Sequence, residues 1–187
     1  MRISIASLAF VTIIFAGNAG AGDKKSEVPA VPRGPEHKVL DSLVGTYEAK
    51  VKLYLDPKGP PQESVCVLTR KLILDGNFLQ EHFTGKFLGK DFTGMGMIGY
   101  DAVKKKYVAV WFDNMSTSTS LMQGTYDADK KSLTTVGEDA DAKGKKMKAR
   151  DVLTIISADE QLFEMYRQPG GSTTEIKIME ITYTRKK

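Results

Sequence analysis

From Gly45 to the C-terminus, apolar and polar residues alternate with a period of two. Tyr47, Ala49, Val51 and Leu53 interleave with Glu48, Lys50 and Lys52, the pattern of a strand buried on one side. The same alternation returns over Glu63–Leu74, Asn77–Phe87, Met95–Tyr100, Tyr107–Phe112, Thr117–Tyr126, Ser132–Glu138, Lys146–Ile156, Gln161–Gln168 and Glu175–Arg185. Short polar turns separate the runs, with Asp75-Gly76 the strongest hairpin signal among them. The pattern predicts about ten antiparallel strands, each joined to its neighbour in sequence.

The stretch Gly94–Asn114 shows the design most clearly. Two runs of β-formers flank Asp101 and the lysines Lys104, Lys105 and Lys106. An aspartate here starts the turn by accepting backbone N–H groups, and lysines keep its tip in water. Tyr126-Asp127 followed by Lys130-Lys131 repeats the solution once, too few copies for a propeller. Uniform hairpin connections favour an all-β, antiparallel up-and-down barrel over a sandwich, which needs longer crossovers. Gly94 and Gly96 suit a bending barrel strand.

Before Gly45 the period is helical. Pro35 suits a first helical turn, Val39, Leu40 and Leu43 share a face, and Gly45 suits the stop. So short a helix is unstable alone and is expected to plug the barrel, with His37 on its exposed side. Upstream, Met1-Arg2, the apolar run Ile3–Ala16 and the small residues Ala19-Gly20-Ala21 have the order of a secretory signal. The run is shorter than the roughly 20 residues that span a bilayer. The expected organisation is a signal peptide at 1–21, a flexible linker at 22–34 and a barrel domain at 35–187, exported to the periplasm or beyond with no stable membrane anchor after cleavage.

Charge narrows the function classes. The chain carries +4 formally, and +3 without Arg2. Its lysines sit at turns, which reads as solvated hairpin tips rather than a nucleic-acid face. A single cysteine, Cys66, leaves stability to a hydrophobic core. A barrel of this size can hold one small ligand. Trp111 and Asp113 share a face on one strand. Further on, Arg150 with Val152, Glu164 with Tyr166, and Glu180 with Ile176 and Ile178 put charge among apolar neighbours. Charges inside a barrel must pair. The expected lumen site is therefore Trp111, Asp113, Tyr126, Arg150, Glu164, Tyr166 and Glu180, with Arg150 paired to Glu164 or Glu180.

Other chemistry is thin. Glu164 and Glu180 on neighbouring strands could serve as an acid–base pair in an isomerase or hydrolase. His82 could ligate haem, although it stands on a polar strand face with Gln80 and Thr84. Zinc needs three or four ligands, and no second His or Cys lies near His82; no metal site or resident cofactor is expected. Asp139–Gly144 has Arg150 where a calcium loop needs its bidentate glutamate, so it reads as a loop. The run Ser116–Ser120 reads as a solvent-facing strand, since no histidine near it could act as a base. Seven methionines over many strands favour a malleable interior.

Gly45-Thr46-Tyr47, Gly99-Tyr100-Asp101, Trp111 with Asp113-Asn114-Met115, Gly124-Thr125-Tyr126-Asp127, Phe163–Tyr166 and Met179–Tyr183 together resemble domain-of-unknown-function family 1579 over most of residues 36–187. That resemblance implies a lipocalin-like barrel, akin to the fatty-acid-binding proteins, and no activity. The chain is also similar to lipocalins at large, which carry Gly-x-Trp after a closing helix and a late arginine over the indole. Tyr47 stands in the tryptophan's place, and Arg185 is expected to stack on it. The reading is non-catalytic binding of a small, mainly apolar ligand in the lumen. The alternatives are an envelope surface interaction module with a filled core, an isomerase or hydrolase, and a haem binder.

Overall fold

Alternation is realised in every expected strand, and the sheet they build closes on itself. The computed structural model describes residues 32–56, 59–140 and 144–187. The expected signal segment and residues 22–31 of the expected linker lie outside the described residues. The helix α1 (His37–Ser42) leads into β1 (Gly45–Leu53), β2 (Gln62–Ile73), β3 (Phe78–Phe87), β4 (Lys90–Asp101) and β5 (Lys106–Asp113). Then follow β6 (Ser120–Asp127), β7 (Ser132–Ala140), β8 (Lys146–Ile155), β9 (Glu160–Pro169) and β10 (Ile176–Arg185). Each strand pairs with its sequence neighbours, and β10 returns to β1, giving a closed antiparallel barrel.

The turn chemistry is the expected one. Asp101 Oδ1 accepts from the backbone N–H groups of Val103 at 3.0 Å and Lys104 at 2.9 Å. Asp127 Oδ1 does the same for Asp129 at 3.0 Å and Lys130 at 3.1 Å. These bonds to the charged form hold both carboxyls below their ordinary range. Asp139 departs from the loop reading, because β7 runs on to Ala140.

Tyr47 joins seam, floor and helix. It faces Leu68 on β2 and Arg185 on β10. Leu40 of α1 and Leu43 at its C-terminal cap are fully buried in the same cluster, so the helix closes this end by filling it with leucine. The Tyr47 hydroxyl donates to the Leu43 carbonyl at 3.1 Å and accepts from Gln161 Nε2 at 3.0 Å. Arg185 lies over the Tyr47 ring with its guanidinium carbon 4.8 Å from the centroid. Its Nη1 donates to the Val44 carbonyl at 2.7 Å. A side chain at position 45 would collide with that guanidinium, which is why Gly45 precedes the pair. One expectation fails here: His37 is buried, not exposed. Its Nδ1 accepts from the Gly34 N–H at 3.0 Å, and its ring meets Tyr100 edge-on. The helix rolls that side onto the barrel's end because Tyr100 offers it an aromatic partner.

Replacing Tyr47 by Phe keeps the ring and removes the hydroxyl shared by Gln161 and Leu43. Leaving these buried groups unsatisfied costs about 1–3 kcal/mol. Urea unfolding of the variant should show that loss, and unchanged stability would mean that the hydroxyl does not tie helix to barrel.

Candidate functional site

The strands leave an interior space of about 460 Å³ rather than a filled core. It extends from the level of Arg70 and Tyr183 to the end opposite α1, where the β5–β6 connection forms part of its rim. Its wall is aromatic and aliphatic: Phe83, Phe92, Trp111, Leu133, Leu153 and Phe163 all line it. Met115, Met122, Met165 and Met179 line it too, so four of the seven methionines face the lumen with their adaptable thioethers. The Ser116–Ser120 run does not form the expected strand. Residues 116–119 connect β5 to β6, and Ser116, Ser118, Thr119 and Ser120 put hydroxyls on the lumen lining.

Trp111 points inward and organises one wall. It faces Gly96 across the β4–β5 pairing, and Asp113 faces Gly94. A methyl group at Gly94 would collide with indole Cζ2, and one at Gly96 would lie 2.7 Å from Glu81 Oε2 and 3.0 Å from indole Cε3. The two glycines therefore exist to let the indole lie on the β4 backbone, a cross-strand cover for positions without side chains. Phe83 meets the indole edge-on with centroids 6.2 Å apart. The indole Nε1 donates to Asp113 Oδ2 at 3.0 Å, and the Met115 N–H donates to Oδ1 at 2.9 Å.

Two charged groups interrupt the apolar wall. At the floor, Arg70 faces Glu81 across β2 and β3 and donates from Nε to Glu81 Oε1 at 2.7 Å. Its Nη1 donates to Gln161 Oε1, and its guanidinium carbon lies 5.0 Å from the Tyr183 ring centroid. Burial holds the Tyr183 hydroxyl well above its ordinary pKa. Nearer the mouth, Arg167 is 4% exposed. It donates from Nη1 to Asp151 Oδ1 at 2.7 Å and from Nε to Asp139 Oδ2 at 2.9 Å. It stands opposite Ala149, whose small side chain leaves the guanidinium room to reach β7. Burial raises the Asp151 carboxyl pKa more than Arg167 lowers it.

Of the residues expected in the lumen, Trp111 and Asp113 are there and in contact. Tyr126 shares the inward parity of Met122 but lies at the helix end. It lines a separate groove of about 430 Å³ with Pro35, Glu36, Val39, Tyr100 and Tyr107. Burial foremost, and Glu36 beside it, push the Tyr107 hydroxyl up to about 12. Arg150, Glu164, Tyr166 and Glu180 are not on the lumen wall. Arg150 pairs with Glu175 at 2.6 Å, not with Glu164 or Glu180, and stacks on Tyr166. Lys177 bridges Glu164 at 2.9 Å and Glu180 at 2.8 Å, so the two carboxylates serve an outer-wall ion pair. A register shift between Lys177 and Met179 inserts Ile178 as an extra residue. Lys177 and Glu180 thereby come to one face, and the expected Ile176–Ile178–Glu180 face does not exist. His82 is exposed on β3, away from the cavity. Among the described residues, no three His, Cys, Asp or Glu side chains gather to hold a metal ion.

The luminal residues that pattern reading missed are Arg70, Glu81, Asp139, Asp151 and Arg167, with Gln161 buried behind Arg70. On β8 the inward set is Ala149, Asp151 and Leu153; on β9 it is Gln161, Phe163, Met165 and Arg167. Both parities of each strand mix charge with apolar residues, and a one-residue error in parity exchanges the faces. The cross-strand opposition of Arg70 and Glu81 was the available signal, since counting outward from Asp75-Gly76 places them opposite each other.

Residues 32–185 match the family described as Protein of unknown function (DUF1579). The chain belongs to that family. No curated protein matches it. This DUF1579 member is similar in fold to an S-type phycobiliprotein lyase, CPES from Guillardia theta: 10% identity, TM-score 0.56, covering 83% of this chain and 94% of that one. A redesigned beta barrel matches with 12% identity and a TM-score of 0.45 over 80% of this chain and 96% of that one. At such identity the likeness to the lyase speaks for the fold alone.

Gly94→Ala should cost about 1–3 kcal/mol by overpacking, and much less when Trp111 is also Ala, measured as a double-mutant cycle in urea. Equal costs in the two backgrounds would show that the indole is not what requires glycine. Asp151 gives a signed pH test. Its folded pKa is raised, so the folded chain binds this proton more tightly than the unfolded one. The resulting contribution is full below the ordinary value of 3.8 and is lost as pH rises through the raised folded value. Asp151→Asn should therefore gain stability relative to the natural protein as pH rises from 3.8 towards neutrality; the opposite trend would show that the guanidinium outweighs burial.

Proposed function

We propose that this chain is an exported binding protein that holds a small, mainly apolar ligand in its barrel without catalysing a reaction on it. The cavity of about 460 Å³ carries the reading, because its wall is mainly apolar and both of its arginines are held by carboxylates. A concave, apolar, preformed space with a small number of fixed polar groups is the usual form of a small-molecule site. Export rests on the order of charge, apolar run and small residues in the first 21 positions. The acid–base reading loses its support, since Glu164 and Glu180 share Lys177 on the outer wall. The haem reading loses its support with His82 away from the lumen.

One observation favours a second reading, contact through the outer surface. Met95 faces Phe112 on the outside of β4–β5; Met95, Phe112 and Leu121 are exposed. Such a strip is a less specific feature than the cavity, because isolated exposed apolar residues are normal.

Titration with the neutral dye N-phenyl-1-naphthylamine separates the two. The dye should bind once, saturably, with energy transfer from Trp111, the only tryptophan. Ala109→Phe and Thr135→Phe, which fill the lumen, should weaken binding at least tenfold, and Val136→Phe on the outer face should not. Dye binding that survives both lumen fillers in folded protein would remove the reading. Native mass spectrometry of protein purified from its own host would then identify the natural occupant.

A further inference from the structure

Charge inside the lumen is opposite in sign to the chain. The protein is +4 formally, yet the cavity is lined by four carboxylates, Glu81, Asp113, Asp139 and Asp151, and two guanidiniums, Arg70 and Arg167. Four negative and two positive groups leave a formal −2, and no lysine or histidine lines the space among the described residues. The sign is therefore a property of the site and not of the composition.

Both arginines already hold carboxylates. Arg70 gives Nε to Glu81 and Nη1 to Gln161, and its face lies against Tyr183. Arg167 gives Nε to Asp139 and Nη1 to Asp151. An anionic ligand head approaching either guanidinium would meet the carboxylates already bound to it, in a lumen whose formal charge is negative, which is unfavourable. Asp113 is in the opposite position. Its two oxygens accept only from neutral donors, the indole Nε1 and the Met115 N–H, and no cationic side chain pairs with it among the described residues. Asp139, on the mouth side, shares with Asp151 the single positive charge of Arg167. The Trp111 ring adjoins Asp113, and a tryptophan face is the best aromatic partner for a cation.

We infer that the lumen selects amphiphiles with an apolar body and a cationic amine head, the head held at the mouth by Asp113 and Asp139 beside Trp111. This rests on the lumen being a ligand site. Amine and carboxylate heads on one chain then differ by the sign of their interaction with the same residues: attraction to a net negative rim in one case, repulsion by it in the other. A neutral alcohol of equal length falls between.

The test displaces N-phenyl-1-naphthylamine from the full-length exported chain with decylamine, 1-decanol and decanoate. Each is used below its micelle-forming concentration, at neutral pH and low salt. Decylamine should displace the dye at least tenfold more tightly than decanoate, with decanol between them. The preference should shrink in Asp113→Asn and Asp139→Asn and at high salt; Asp113→Asn keeps an acceptor for the indole N–H and a folded chain. Decanoate equal to or tighter than decylamine overturns the inference, and so does an amine preference unchanged in both variants. Bound dye that none of the three displaces overturns it while leaving the lumen a binding site. Failure of the dye itself to bind removes the lumen reading and the inference together.

Discussion

The pairing of β1 with β10 is the constraint on which the rest depends. A ten-strand meander left open would present two unpaired edges, each a template for another chain. Closing it satisfies both edges at once, and it also makes inside and outside absolute. Once Tyr47 lies opposite Arg185 and Leu68, the side-chain parity of β1 is locked, and each neighbouring strand inherits its own by hydrogen bonding. The helix enters the same arrangement. Tyr47 and Arg185 take the last carbonyls of the helix region, Leu43 and Val44, groups that a short helix cannot satisfy itself.

A closed barrel has a fixed interior, and the side chains of this one do not fill it. Most of the charged groups inside are paired: Arg70 with Glu81 across β2–β3, and Arg167 with Asp151 on β8 and Asp139 on β7. Such pairs add little net stability, so their place in the wall is better understood through what they present to the lumen. The β4–β5 hairpin contributes the opposite device. Glycines remove side chains from one strand so that a single indole from the next can cover both positions.

Much of this was legible along the chain, and the reasons it was legible differ. Strand number, hairpin connectivity and the Asp-initiated turns follow from local chemistry, since alternation and turn residues act within a few positions. The shared face of Trp111 and Asp113 on β5 was readable from their common parity, and the closed barrel decided that it points inward. The face of β10 was not readable, because the bulge at Ile178 shifts the parity partway along the strand and no residue type announces a bulge. On β8 and β9 both parities carry charge with apolar residues, and only closure of the ring chooses between Arg150 and Asp151, or between Glu164 and Arg167.

By itself, then, the sequence determined the all-β class, the order of strands, the helical plug, and the membership of Trp111 and Asp113 in one face. These rest on interactions of short range or on a period that one strand displays alone. Tertiary structure decided which charges are buried. A charge goes inside when the register of two strands supplies it with a partner, and register is a property of the closed sheet rather than of any strand. Hence Arg70, Glu81, Asp151 and Arg167 stand paired in the lumen, while Arg150, Glu164 and Glu180, no different in kind, remain on the outer wall with Glu175 and Lys177.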